Sequence, residues 1–211
     1  MNKEVPYDEK YAKDDYYWGK EPTAICKKVI EYSNRGAENH QVLLELGCGE
    51  GRDAVHFARH GFNVTALDIS SQGLKKLEKY AAEIGVEIKT IQANMINYRL
   101  STIYDIIFSS GAVHYIPPEL REEHFRHYKE QTRFGGIHAH VVLLDKPFIA
   151  RAPDAEPDEI FFTSGEIMKY YSDWEIVFID EEIIDCNSSG IPHKHVLNTI
   201  IAKKPASKVI G

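Results

Sequence analysis

Three glycines at alternate positions, Gly47, Gly49 and Gly51, follow directly on the apolar run Val42–Leu46 and precede a stretch with helical spacing. A near-continuous apolar run suits a parallel strand covered on both faces. Glycines placed straight after it permit positive φ and let a ligand approach the backbone. They also leave amide N–H groups at the next helix start that can face an anionic group. Ala54, Val55, Phe57 and Ala58 then recur at helical spacing, and Gly61 supplies a stop. Strand, turn and helix together predict a ligand cradle at the head of an α/β sheet, around Glu45, Gly47, Cys48, Gly49, Gly51 and Arg52.

A second strand over residues 62–67 ends at Asp68, an interval that places a carboxylate where ribose hydroxyls can be gripped. A dinucleotide fingerprint would carry its third glycine at position 52. Arg52 stands there instead, and its long side chain obstructs a pyrophosphate lying against the helix start. Ser70 or Ser71 then caps a helix with Leu74, Leu77, Ala81 and Ile84 inward, while Lys75, Lys76 and Lys79 are expected to face solvent. Residues 86–91 alternate as a third strand, followed at its ligand-facing end by Asn94 and Met95.

Residues 104–108 form a fourth apolar strand. Ligands of open α/β sheets sit outside the strand carboxyl ends where the strand order reverses, so Ser110, Gly111, His114 and Tyr115 should border the reacting group. His114 and Tyr115 are therefore the candidate catalytic residues; the alternative for His114 is plain packing between helices. The helix after Glu119 carries Leu120, Phe125 and Tyr128 inward and stops at Phe134-Gly135-Gly136, before a fifth strand over 137–144 containing His138 and His140. The loop 146–160, with Pro147, Pro153 and Pro157, either rims the pocket or is a surface excursion. Thr163 and Glu166 have capping-box spacing before Ile167, Met168, Tyr170 and Tyr171. Residues 174–184 and 196–202 read as an antiparallel pair joined through Asn187-Ser188-Ser189-Gly190. His193 and His195 repeat the spacing of His138 and His140, but no further cysteine or carboxylate shows ligand spacing, and no metal is expected.

The 211 residues suit one α/β domain. A net charge of −7, with no clustered Lys/Arg face, argues against a nucleic-acid partner. Cys26, Cys48 and Cys186 are odd in number and form no C-x-x-C pair, and the N-terminus is charged and tyrosine-rich. No apolar run approaches the ~20 residues that cross a bilayer. The expectation is a cytoplasmic protein with a small-molecule partner and no membrane contact, as a monomer or homodimer.

The stretch Leu44-Glu45-Leu46-Gly47-Cys48-Gly49-Glu50-Gly51-Arg52-Asp53, the strand ending at Asp68, Tyr104-Asp105-Ile106-Ile107 and the Phe134-Gly135-Gly136 turn resemble class I S-adenosylmethionine-dependent methyltransferases. Gly51-Arg52-Asp53, Tyr170-Tyr171-x-x-Trp174-Glu175 and the final histidine-containing hairpin are similar to the tellurite-resistance (TehB-like) branch. The resemblance implies a Rossmann-like doubly wound seven-stranded sheet ordered 3-2-1-4-5-7-6, with an antiparallel last strand. It implies one methyltransferase domain over 1–211, with an arm and helix over 1–35 covering the cofactor and a core over 40–204. Glu45, Gly47, Cys48, Gly49 and Gly51 would hold the methionine end of S-adenosylmethionine; the place of Arg52 beside the glycine turn, apart from the resemblance, suggests that it pairs with the cofactor carboxylate. Asp68 would hold the ribose, with Ile69, Asn94 and Met95 around the adenine and Ser110 and Gly111 nearby. Trp18 belongs to an aromatic arm of Tyr7, Tyr11, Tyr16 and Tyr17, which either packs over the sheet edge or closes over the sulfonium. Tyr17, His193 and His195 are placed on the substrate side. The acceptor is expected to be small, with soft nucleophiles such as thiols, selenium or tellurium species favoured. The alternatives are a non-catalytic S-adenosylmethionine binder and an NAD-dependent oxidoreductase.

Overall fold

The computed structural model describes residues 7–33, 41–153, 155, 159–187 and 190–206. The polar connection at 34–39, Pro157, the middle of the hairpin turn at 188–189 and the tail from 207 lie outside them. Two N-terminal helices, α1 (Asp8–Tyr11) and α2 (Ile25–Tyr32), precede β1 (Val42–Leu46), α3 (Arg52–Arg59), β2 (Asn63–Asp68), α4 (Ser71–Ile84) and β3 (Ile88–Gln92). The second half contains β4 (Tyr104–Ser110), a 3-10 turn (Val113–Tyr115), α5 (Pro118–Glu130), β5 (Thr132–Leu144), α6 (Glu166–Lys169), β6 (Glu175–Cys186) and β7 (His193–Lys203).

The seven strands form one sheet in the order β3-β2-β1-β4-β5-β7-β6, the order the resemblance implies. β1 to β5 pair in parallel, and β7 runs antiparallel between β5 and β6. Apolar residues on consecutive positions serve opposite faces: Leu43, Ile106 and Phe108 pack with Phe57 and Leu77, whereas Leu44 and Ile107 pack with Phe125, Phe162 and Tyr171. That two-sided burial is why β1 and β4 read as apolar runs without alternation.

Several local expectations change. β5 begins at Thr132, so Gly135 and Gly136 interrupt the strand instead of preceding it. The pairing jumps from Tyr104↔Thr132 to Ile106↔Ile137, a bulge that Gly135 permits with φ of 75°. Third-strand pairing starts at Ile88 and runs through Gln92. On α5 Phe125 and Tyr128 are buried as expected, but Arg121 is buried with them while Leu120 is only half-buried. The Arg121 guanidinium donates to the Ile116 and Ile160 carbonyls and to Glu166, 2.6 Å away, and lies over the Phe162 ring, so its charge is neutralised and its donors are used. This arginine ties α5 to the end of the 146–160 loop.

His138 and His140 share one face of β5, as expected, and that face is core. Both rings bond the buried Tyr171 hydroxyl, at 2.7 and 2.8 Å, and His138 also meets Thr132 Oγ1 at 2.7 Å. Burial lowers both histidines, His140 to about 3, so they are neutral structural hydrogen-bonding groups.

Candidate active site

The glycine turn is built by packing as much as by conformational freedom. Gly47 has φ of 71°, and a Cβ there would sit 2.2 Å from the Ala112 Cβ, so the β1 and β4 ends approach more closely than any side chain allows. A Cβ on Gly51 would likewise collide with Leu77 of α4. The space the glycines leave is taken up by the protein itself.

The turn's amides are also engaged. Gly47 and Cys48 N–H donate to the Leu67 carbonyl, Gly51 N–H to the Cys48 carbonyl, and Gly49 N–H to Asp68 Oδ2 at 2.7 Å. The expected anion-facing amides are therefore absent at these four positions. Beside the turn, the end of β1 presents a carboxylate, Glu45. Glu45 is 3 % exposed, its Oε2 has no hydrogen-bond partner among the described residues, and burial followed by the Asp53 charge raises its pKa well above the usual range. A buried, underpaired carboxyl group gains most from a cationic ligand group, which favours its ionised form.

This turn opens into a cavity of about 580 Å³, within the usual range for small-molecule sites. Glu45, Gly47, Cys48, Gly49, Gly51, Arg52, Asp68, Ile69, Asn94, Met95, Ser110, Gly111, His114, Tyr115, Tyr17, Trp18 and His195 all line it. His193 is the one expected site residue outside that lining, and it lies beside His195. Asp68 is buried, which raises its pKa, and its two oxygens accept from Gly49 and Ser70 N–H. A carboxylate has about four acceptor positions, more than these backbone donors use, so acceptor capacity remains for a ribose hydroxyl. Asn94 Oδ1 already accepts from Ile96 N–H at 2.9 Å, closing a local turn, which leaves one lone pair for an adenine amino group. Ile69 is 41 % exposed beside Asp68, an apolar surface suited to a base.

The N-terminal arm crosses the mouth. Tyr7 stacks on Tyr11, Trp18 Nε1 donates to the Tyr11 hydroxyl at 3.2 Å, and Asp8 accepts from Ser70 Oγ at the start of α4. Lys76, expected on a solvated face, is half-buried and pairs with the buried Glu50 at 2.7 Å, while Glu50 also accepts from Trp18 N–H. Arg52 Nη1 donates to the Trp18 carbonyl at 3.2 Å, so the arm and the cradle share contacts. Ala152, Ala155 and Glu159, from the stretch the sequence leaves open as a rim or a surface excursion, also line the cavity. Glu159 Oε1 accepts from the Tyr115 hydroxyl at 2.8 Å and lies 3.9 Å from His114 Nε2. His114 is 1 % exposed, with no hydrogen bond to either ring nitrogen among the described residues. Burial, reinforced by Tyr7, pushes the Tyr115 phenol far above its ordinary value, so it acts as a neutral hydrogen-bonding group.

The remaining wall is the β5-β7-β6 face, where Leu143, Leu197 and Glu182 are consecutive neighbours across the strands. Its end carries His195 with Cys186. The hairpin register brings Cys186 opposite His193, a juxtaposition that linear spacing did not reveal. No candidate membrane-spanning helix is found among the described residues.

A seven-stranded sheet of this order, with Glu45 and Asp68 buried in neighbouring strands beside the cavity, has the architecture of the class I S-adenosylmethionine-dependent methyltransferases. Residues 10–191 match the family model for tellurite resistance protein TehB, and the chain belongs to that family. It is 25% identical over 199 residues to the probable S-adenosyl-L-methionine-dependent methyltransferase TehB of Haemophilus influenzae, spanning 92% of this chain and 68% of that one. The crystal structure of TehB from Haemophilus influenzae superposes with a TM-score of 0.73 at 23% identity, covering 94% of this chain and 65% of the other. A second fold relative is the Burkholderia thailandensis 1,6-didemethyltoxoflavin-N1-methyltransferase with bound 1,6-didemethyltoxoflavin and S-adenosylhomocysteine. Its TM-score is 0.62 at 16% identity, with coverage of 86% and 79%.

Proposed function

We propose that the chain transfers the methyl group of S-adenosylmethionine to a small, soft acceptor, a thiol, selenium or tellurium species, in the cytoplasm. The observation that carries the cofactor reading is Glu45: a buried carboxylate oxygen with no hydrogen-bond partner among the described residues, at the end of β1 beside a turn whose amides are engaged, calls for an ammonium group. Arg52 pairs with the cofactor carboxylate, Asp68 takes the ribose hydroxyls, and Ile69, Asn94 and Met95 receive the adenine. The cofactor supplies an electrophilic methyl group on a sulfonium.

The rest of the chemistry is alignment and exclusion of water. Tyr7, Tyr11, Tyr17 and Trp18 give the arm aromatic faces that favour a positive charge and cover the mouth. His114 and Tyr115 border the acceptor, with Glu159 holding the Tyr115 hydroxyl in place. A soft nucleophile needs little proton abstraction, so these residues position the acceptor. Incubation with S-adenosylmethionine and a panel of thiols, selenite and tellurite each with a thiol reductant, phenols and amines tests the proposal. S-adenosylhomocysteine should accumulate with at least one reduced sulfur, selenium or tellurium acceptor, and turnover only with oxygen or nitrogen acceptors would refute the soft-acceptor assignment.

A further inference from the structure

The cavity wall formed by β6 and β7 ends in three metal-ligating side chains. Cys186 closes β6, His193 opens β7 directly opposite it, and His195 lies on the same face two residues on. One ligand atom from each of the three lies within 4.8 Å of the others. The two imidazole Nε2 atoms are 3.0 Å apart. Two nitrogens bound to one tetrahedral zinc ion at about 2.0–2.1 Å stand roughly 3.3 Å apart, so gathering them on an ion needs movement of only a few tenths of an ångström.

The His193 ring is already oriented for such a role. Its Nδ1 lies 2.8 Å from the Ile191 carbonyl oxygen, which can only accept, so Nδ1 carries the proton. Nε2 then accepts from His195 Nε2–H, and moving that proton to His195 Nδ1 turns both Nε2 lone pairs toward one ion. A backbone carbonyl fixing the tautomer from behind is the usual outer support of a metal-bound histidine.

We infer that Cys186, His193 and His195 bind a borderline-soft divalent cation of the zinc class, and that its fourth position takes the methyl acceptor as a thiolate or selenide. The inference rests on the methyltransferase reading above. One sulfur and two imidazoles select zinc-like ions over magnesium or calcium. Three protein donors leave one coordination position for an exogenous ligand, and Cys186 and His195 line the same cavity as Glu45 and Asp68. Binding releases the thiol protons of Cys186 and of the acceptor to solvent. In transfer, the acceptor sulfur–methyl bond forms as the cofactor sulfur–methyl bond breaks, S-adenosylhomocysteine leaves, and no oxidant or reductant is needed. A metal-held thiolate stays deprotonated near neutrality, which removes the need for a general base.

The test is titration of the chelator-stripped full chain with Zn²⁺ and Co²⁺, with S-adenosylhomocysteine binding and thermal melting measured alongside. One ion per chain is expected, with a thiolate-to-cobalt charge-transfer band in the near ultraviolet. Cys186→Ser should abolish that band, and both Cys186→Ser and His195→Gln should weaken Zn²⁺ binding by at least about tenfold with the cofactor site intact. His193→Gln provides the same check should either variant melt early. Absence of Zn²⁺ uptake by protein that binds S-adenosylhomocysteine overturns the inference and leaves the cofactor reading standing. So does uptake unchanged in all three variants. Failure of the parent chain to bind S-adenosylhomocysteine strikes the cofactor reading instead.

Discussion

Gly49 N–H donates to Asp68 Oδ2 across 2.7 Å, so the carboxylate at the tip of β2 holds the turn that leaves β1. Its second oxygen accepts from Ser70 N–H at 2.8 Å. Asp68 therefore fixes the cradle and presents its remaining lone pairs to the cavity. Asp68→Asn places an amide NH₂ against one of two backbone donors, and the loss should be roughly 1–3 kcal/mol of stability. S-adenosylhomocysteine affinity should fall in parallel, by about tenfold or more. Melting and calorimetry on the variant check both; unchanged values would remove Asp68 from this role.

Glu45 separates binding from stability. Burial and the neighbouring Asp53 and Asp68 charges disfavour its ionised form in the protein alone. Glu45→Gln should hold or raise Tm while weakening S-adenosylhomocysteine binding by about ten- to a hundredfold, the scale of one charge-assisted hydrogen bond. Arg52→Ala should weaken binding by about tenfold through the other end of the amino-acid moiety. Undiminished affinity in either variant contradicts its assignment.

His114 distinguishes positioning from general-base catalysis. With a soft acceptor, His114→Gln should keep kcat within about tenfold of the parent, whereas loss of a general base costs about 10²–10⁴-fold. A collapse of that size with cofactor binding retained, together with a rate that titrates near neutral pH in the parent, would contradict the positioning account.

The Tyr171 network makes stability depend on pH with a defined sign. His138 and His140 are lowered by burial, His140 from 6.5 to about 3, so the unfolded chain binds more protons than the folded chain between those values. Their contribution is complete above about pH 6.5 and is lost as pH falls toward 3. Tm should therefore decline on acidification through this window, and the decline should be shallower in His140→Leu. An identical slope would show that other groups carry it.

The strand order followed from the family resemblance, and all the expected site residues but His193 line the cavity because they rest on local signals: apolar runs, glycines after a strand, an acid at a strand end. The unread features depend on register and long-range contact. Cys186 meets His193 only through hairpin pairing, and Glu159 lies in a loop whose composition resembles any surface segment. Lys76 reads as one of several solvated lysines until Glu50 of the glycine turn and the Asp15 carbonyl of the arm meet its ammonium group. The glycines were located correctly, but their missing Cβ atoms accommodate Ala112 and Leu77, a packing fact invisible in spacing.

Calorimetric titration of the full chain with S-adenosylmethionine, S-adenosylhomocysteine and NAD⁺ tests the account most directly. Saturable one-to-one binding of the first two, lost or weakened in Glu45→Gln, with no binding of NAD⁺, is the expected result. No heat with either sulfur nucleotide, and tight binding of NAD⁺, would contradict it.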